Sequence, residues 1–162
     1  MGTEMKQKIT PFLWFNGRAE EAAKYYTGIF ENSKIESVSR YPEGSPYPAG
    51  TVMTVVFRIA GQRFIALNGG AEFQFNESIS FVVSCANQKE IDYYWKKLTA
   101  GGKEVQCGWL TDQFGVSWQI GPAEMGELFE GTAAQSERVM KTMLKMVKLD
   151  IAGLKKAYKG KG

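Results

Sequence analysis

The sequence predicts an α+β protein in which a strand–helix–strands pattern occurs twice and is followed by helices. Apolar strand patterns at 79–85 and 9–15 each lead into a helical stripe. The corresponding helix starts, Asn16 and Asn87, stand about 71 residues apart, a period that marks a duplicated module rather than a solenoid. Beyond Pro122 the pattern is helical only.

In order along the chain, 9–15 (ITPFLWF) reads as a strand with apolar residues on both faces. Asn16-Gly17 ends it, and either residue is placed to cap a helix over 18–30, whose stripe is Ala22, Ala23, Tyr26, Ile29 and Phe30. Residues 33–40 alternate weakly and fit an edge strand. The segment 41–50 (YPEGSPYPAG) holds three of the five prolines and reads as a long loop, the kind that serves as a lid, a binding loop or an arm around a partner. Residues 51–59 form a strand with Met53, Val55, Phe57 and Ile59 on one face. A tight turn at 60–62 joins it to a strand over 63–68, ending at Gly69-Gly70. In the second module 79–85 is a strand, and Asn87 with Glu90 caps a helix over 88–99. Gly101-Gly102 closes that helix, and strands follow at 105–110 and 116–120. In the tail, Thr132 and Gln135 have capping-box spacing, a stripe runs through Val139, Met140, Met143, Met146 and Val147, and Asp150 caps a last helix. The Met-rich stripe reads as the face that docks the tail on its own sheet or on a second subunit, ahead of a partner groove. The domain reading is an N-terminal extension (1–8), a first module (9–77), a second (78–122) and a helical tail (123–162), all in one structural domain.

Composition narrows the chemistry. The chain has no histidine, which removes the commonest general base and metal ligand together. A catalytic triad, a metalloprotease helix and an ordinary zinc finger are thereby excluded. The two cysteines, Cys85 and Cys107, form no CxxC pair, and in the cytoplasm predicted here both are reduced. Cys107 has no base near it in sequence and reads as an inert thiol. No apolar run is long enough for a membrane span. From Glu137 to Gly162 eight Lys/Arg face two acids, +6 in a chain of net charge +3. These cations are interleaved with the apolar stripe, so they read as a solvated helix face rather than a nucleic-acid or membrane patch. Glu72 and Glu77 likewise read as solvated loop charges.

The stretch from Asp112 to Pro122 (DQFGVSWQIGP) is a turn feeding a short strand. Gln119 faces away from Trp118 and Ile120 and shares a face with Ser117. If Trp118 and Ile120 pack on a helix, Gln119 looks into whatever the other face encloses.

The two modules, with Phe15-Asn-Gly-Arg-Ala-Glu-Glu-Ala-Ala-Lys-Tyr-Tyr26 opening the first helix, resemble the vicinal oxygen chelate superfamily, the fold of glyoxalase I, extradiol dioxygenases and bleomycin-resistance proteins. The similarity is greatest to its PhnB-like branch, often labelled demethylubiquinone methyltransferase-like. The segments carrying it include Ser78-Ile-Ser-Phe-Val-Val-Ser84, Ile91-Asp-Tyr-Tyr-Trp95, Gln106-Cys-Gly-Trp-Leu110, Gly115-Val-Ser-Trp-Gln119 and Lys148-Leu-Asp-Ile151. The resemblance implies paired βαβββ units with curled mixed sheets around a pocket, usually in a homodimer. It places the metal-ligand positions of the superfamily's enzymes near 9–11, at or beside Asn68, at Ser80 and at Gln119. None of these is a histidine or carboxylate, so no metal and no cofactor are predicted. Gly69-Gly70 leads into no convincing helix, which speaks against a Rossmann-type S-adenosylmethionine cradle.

Candidate ligand-binding residues are Trp14, Asn68, Ser80, Gln106, Trp109 and Gln119, with Phe73 and Phe75 at the mouth. Aromatic walls with a few amides suit a planar or amphipathic small molecule. Two functions follow: a metal-free binding module for such a molecule, or an enzyme, either a divalent-metal lyase or dioxygenase or the methyltransferase of the branch label. The first predicts binding that survives chelator; the second predicts bound metal or an S-adenosylmethionine-dependent product.

Overall fold

The computed structural model describes residues 6–160. They form two compact units that divide between Gln74 and Phe75.

The first unit is a βαβββ module: β1 (Phe12–Phe15), α1 (Ala19–Ile29), β2 (Lys34–Arg40), β3 (Val52–Ile59) and β4 (Gln62–Asn68). Its open sheet has the order β1-β4-β3-β2, with β1 parallel to β4 and the other pairs antiparallel. Leu13, Phe15, Val55, Phe57 and Ala66 are buried on the same side as the α1 stripe. The Tyr26 and Phe57 rings stack there at 6.2 Å. Removing a ring of this kind from a core costs about 3–5 kcal/mol. The other face, with Phe12, Trp14, Ile65 and Leu67 in register, stays half-open. β2 is an edge strand, as its weak alternation suggests. The β3–β4 connection is a two-residue turn with both Ala60 (φ 48°) and Gly61 (φ 76°) left-handed, the geometry that matches the twist of a hairpin.

Two expectations are corrected in this unit. β1 is shorter than 9–15, and Ile9 is exposed. Pro11 has no N–H to give to a ladder, and only its carbonyl joins, accepting from Ile65 N. Neither Asn16 nor Gly17 caps α1. The N-cap is Arg18, whose side chain makes no capping bond, and Asn68 Oδ1 accepts from Ala19 N at 2.8 Å instead.

The second unit repeats the pattern with β5 (Ser80–Cys85), α2 (Gln88–Thr99), β6 (Lys103–Glu104), β7 (Trp109–Thr111) and β8 (Ser117–Pro122). The sheet order, β5-β8-β7-β6, is the same order as in the first module, so the duplication read from the sequence is present in the topology. α2 keeps its predicted bounds. Asn87 accepts from Glu90 N, and Gly101 leaves the helix at φ 74°. Ile91, Trp95 and Leu98 are buried with Leu110, Trp118 and Ile120, so one face of this sheet is occupied by the helix.

The strand expected over 105–110 is broken. Residues 105–108 turn, with Cys107 (φ 61°) and Gly108 (φ 81°) both left-handed. Cys107 N donates to Met146 O at 2.9 Å and Gly108 N to Val147 O at 2.7 Å. A Cβ on Gly108 would stand 2.8 Å from Ile120 O, so the turn also needs glycine on steric grounds. Before β8, buried Asp112 ties the turn down. Its Oδ1 accepts from Phe114 N (2.8 Å) and Val116 N (3.1 Å), and its Oδ2 accepts from Trp118 Nε1 (2.9 Å).

A short 3₁₀ turn (Glu127–Phe129), α3 (Ala133–Met143) and α4 (Ile151–Lys159) complete the unit. The Thr132–Gln135 capping box forms, and Asp150 accepts from Gly153 N. The α3 stripe packs chiefly within the tail, where Leu128, Val139, Leu149 and Leu154 make a core flanked by Met125, Met143 and Met146. Gln88 fastens this assembly to α2, donating to Leu149 O and accepting from Ile151 N. Lys141, Lys148 and Lys155 are paired with Glu137, Asp92 and Glu124. Among the described residues no helix is long and apolar enough to cross a membrane.

Candidate functional site

The sheet registers sort the predicted residues by face. In the second unit Trp109, Gln119 and Val82 form one row across β7, β8 and β5, and Thr111, Ser117 and Ser80 form the next. Both rows lie on the face away from α2. Gln119 Nε2 donates to Ser80 Oγ at 2.9 Å, which leaves the amide oxygen as a free acceptor. Ser117 is 2% exposed and its Oγ has no partner. A buried hydroxyl in that state costs about 1–3 kcal/mol.

This face leads into a cavity of about 320 Å³. One wall is sheet, with Val82, Trp109 and Gln119; the other is tail, with Met125, Met140 and Met143. Cys107 lines it as well, placed there by the left-handed turn. Cys85, by contrast, lies on the α2 face, and burial pushes its thiol up to about 12, which keeps it protonated and inert.

The structure thus brings together three of the six predicted residues, Ser80, Trp109 and Gln119. Gln106 is exposed in the 105–108 turn. Trp14 and Asn68 belong to the first unit and to opposite faces of its sheet. Trp14 is on the open face, its Nε1 donating to Gly70 O at 2.9 Å and its ring meeting Phe73 edge-on at 4.9 Å. Asn68 is on the helix face with both ends of its amide engaged, Oδ1 by Ala19 N and Nδ2 by Val52 O at 3.1 Å. Sequence reasoning missed Ser117 as an orphan hydroxyl, and it missed Cys107 and the tail methionines as cavity wall. The alternation that exposes Gln119 also exposes Ser117 and was the available signal; the tail's return to β7 and β8 had none.

The 41–50 loop is held on its own unit. Tyr41 Oη donates to Asn68 O (2.6 Å) and Tyr47 Oη to Gly69 O (2.5 Å), with the two rings 4.7 Å apart. Burial, then the neighbouring Tyr47, raises the Tyr41 hydroxyl above its ordinary range. A second cavity of about 560 Å³ lies beneath this loop, bordered by Glu20, Tyr41, Tyr47 and Thr51.

Two βαβββ modules of identical strand order, each with one sheet face left open, define a member of the vicinal oxygen chelate superfamily. Within it the chain belongs to the PhnB-like family: a family model described as 3-demethylubiquinone-9 3-methyltransferase matches residues 7–121. A PhnB protein from Bacillus cereus, described as a putative 3-demethylubiquinone-9 3-methyltransferase, is 40% identical. The match covers 72% of this chain and 100% of that one, with a TM-score of 0.66. A Pseudomonas aeruginosa protein is 21% identical over 72% of this chain and 98% of its own, with a TM-score of 0.61. The fosfomycin resistance protein FosX from Listeria monocytogenes, solved with Mn(II) and sulfate, shares the fold at 16% identity and a TM-score of 0.52, covering 76% of this chain and 97% of that one. No curated protein matches the chain.

The residues present do not fit the groups these relatives suggest. Among the described residues no three His, Cys, Asp or Glu side chains gather to hold a metal, and neutral amides and hydroxyls hold a hard divalent ion weakly. Nor do Gly69 and Gly70 cradle a nucleotide. A Cβ on Gly69 would lie 2.4 Å from the Trp14 ring, and one on Gly70 would lie 2.6 Å from Tyr47 Oη. The two glycines admit aromatic side chains of the protein itself, and no helix follows them.

Proposed function

We propose that the second module binds a small aromatic or amphipathic molecule without a divalent metal. The observation that supports this most is the Gln119–Ser80 pair beside Trp109 at the edge of a largely apolar cavity. The free oxygen of Gln119 accepts a hydrogen bond from the ligand, its Nε2 is held by Ser80, and Trp109 supplies a flat apolar surface. The cavity volume sits at the lower end for small-molecule sites, roughly 300–1,000 Å³, which favours a compact ligand of one or two rings.

A thermal-shift screen of aromatic and amphipathic compounds, run with and without chelator, tests the reading. Ligands should raise Tm equally in both conditions. Gln119→Leu should weaken the best ligand by about tenfold, the equivalent of one hydrogen bond at ~1.4 kcal/mol. Unchanged affinity removes Gln119 from the site, and stoichiometric zinc, nickel or manganese in the purified protein overturns the metal-independent reading. An S-adenosylmethionine-dependent product would favour the family's methyltransferase description instead.

We place the protein in the cytoplasm as a homodimer, the assembly implied by the superfamily resemblance. Phe12 is 56% and Val82 is 65% exposed on the two open sheet faces, surface of the kind a second copy covers. Light scattering that gives a monomer mass refutes the dimer.

A further inference from the structure

The tail wall of the cavity carries an unusual concentration of sulfur. Met125, Met140 and Met143 face the same space as Cys107, and all three methionines lie beyond residue 121, where the family match ends. Leucine would serve a helix and an apolar core equally well at these positions. Cys107 is held in the left-handed region by the tail itself, through Met146 O. That conformation costs about 1–2 kcal/mol in a residue with a Cβ, and it sets Cys107 in the lining of the cavity that Met125, Met140 and Met143 also line.

We propose that Cys107, Met125, Met140 and Met143 form a binding site for a soft monovalent cation, Cu(I). Thiolate and thioether donors select Cu(I) over harder ions. One thiolate neutralises one Cu(I), so no net charge enters an apolar wall; the thiol proton leaves to solvent as the ion binds. Zn(II) would keep a net positive charge on this donor set, and the chain offers it no imidazole. Cys107, Met125 and Met143 are half-buried and Met140 is 42% exposed, which gives the ion an entry path. The site shares its cavity with the aromatic-ligand reading but draws on Cys107 and the tail rather than on Gln119, so copper uptake and aromatic-ligand binding are read separately.

The test is an anaerobic titration of the reduced full-length protein with Cu(I) buffered by bicinchoninate, read by loss of the coloured chelator complex. The protein should withdraw one equivalent of Cu(I), X-ray absorption should show sulfur-only coordination, and Zn(II) should not compete. Cys107→Ser and the volume-conserving pair Met140→Leu/Met143→Leu should each weaken Cu(I) binding by at least about 10–100-fold, the loss that even outer-shell changes cause. Cys85→Ser should leave it unchanged. Circular dichroism melts confirm that each variant is folded. Aromatic-ligand binding measured with Cu(I) chelated reports on the Gln119 site independently. Copper left entirely on the chelator, or withdrawn equally well by the Cys107→Ser and Met140→Leu/Met143→Leu proteins, overturns the proposal.

Discussion

Asp112→Asn is an isosteric change that isolates what holds the start of β8. The native carboxylate is 3% exposed and accepts from Phe114 N, Val116 N and Trp118 Nε1. An asparagine oriented to keep Oδ1 satisfies both backbone donors, but its NH₂ then meets the indole N–H, donor against donor. One charge-assisted bond is lost and a buried N–H is left unpaired, together about 2–4 kcal/mol. For a chain of this size that is a fall in Tm of roughly 5–15 °C. Denaturant unfolding of Asp112→Asn, Trp118→Phe and the double variant forms a cycle. The coupling should be about 1 kcal/mol or more, because Trp118→Phe removes the donor that asparagine offends. Because β8 carries Gln119, ligand affinity should fall with stability in Asp112→Asn. A single-variant cost under about 0.5 kcal/mol, or costs that add within that margin, would show that the three short contacts do not constrain this turn.

Asn68→Ala should cost about 1–3 kcal/mol in denaturant unfolding, from a lost helix cap and an unpaired Val52 carbonyl; Asn68→Asp should recover part of it by restoring an acceptor at the α1 N-terminus, and equal losses would refute the capping role. Tyr41 gives a pH dependence of known sign. Its folded value is raised above the ordinary value of 10.0, so the strap it makes to Asn68 O is complete below that pH and is lost as pH climbs through the raised value. Phenolate absorbance should therefore show a late-titrating component that disappears in Tyr41→Phe, and an unchanged late component would refute it.

What the sequence revealed and what it concealed divides along a physical line. α2, the β3–β4 hairpin and both tail caps were legible because the atoms that decide them lie within a few residues of one another: Asn87 and Glu90, Ala60 and Gly61, Thr132 and Gln135. The cap of α1 was not, because its acceptor, Asn68, is 49 residues from Ala19; the same amide that looked like a pocket residue has both ends committed to backbone. The break at 105–108 was hidden for the same reason. Val-Gln-Cys reads as strand, and the distant carbonyls of Met146 and Val147 help to turn it. Gln119 was legible as an outward amide because alternation along one strand suffices for that. Its Ser80 partner comes from the parallel pairing of β5 with β8, and the methionine wall from the return of the tail.

The cavity in the second unit is built from two parts of the chain with different constraints. Val82, Trp109 and Gln119 sit in a sheet whose register fixes each of them against its neighbours, so a change there propagates along the strands. Met140 and Met143 sit on a helix whose core is supplied mostly by the tail itself. Substitutions on that helix can therefore reshape one side of the cavity while the strand pairing and the Asp112 turn stay as they are. The tail acts as an exchangeable jaw closing on a fixed anvil, and a shared sheet can take different occupants according to which jaw it carries.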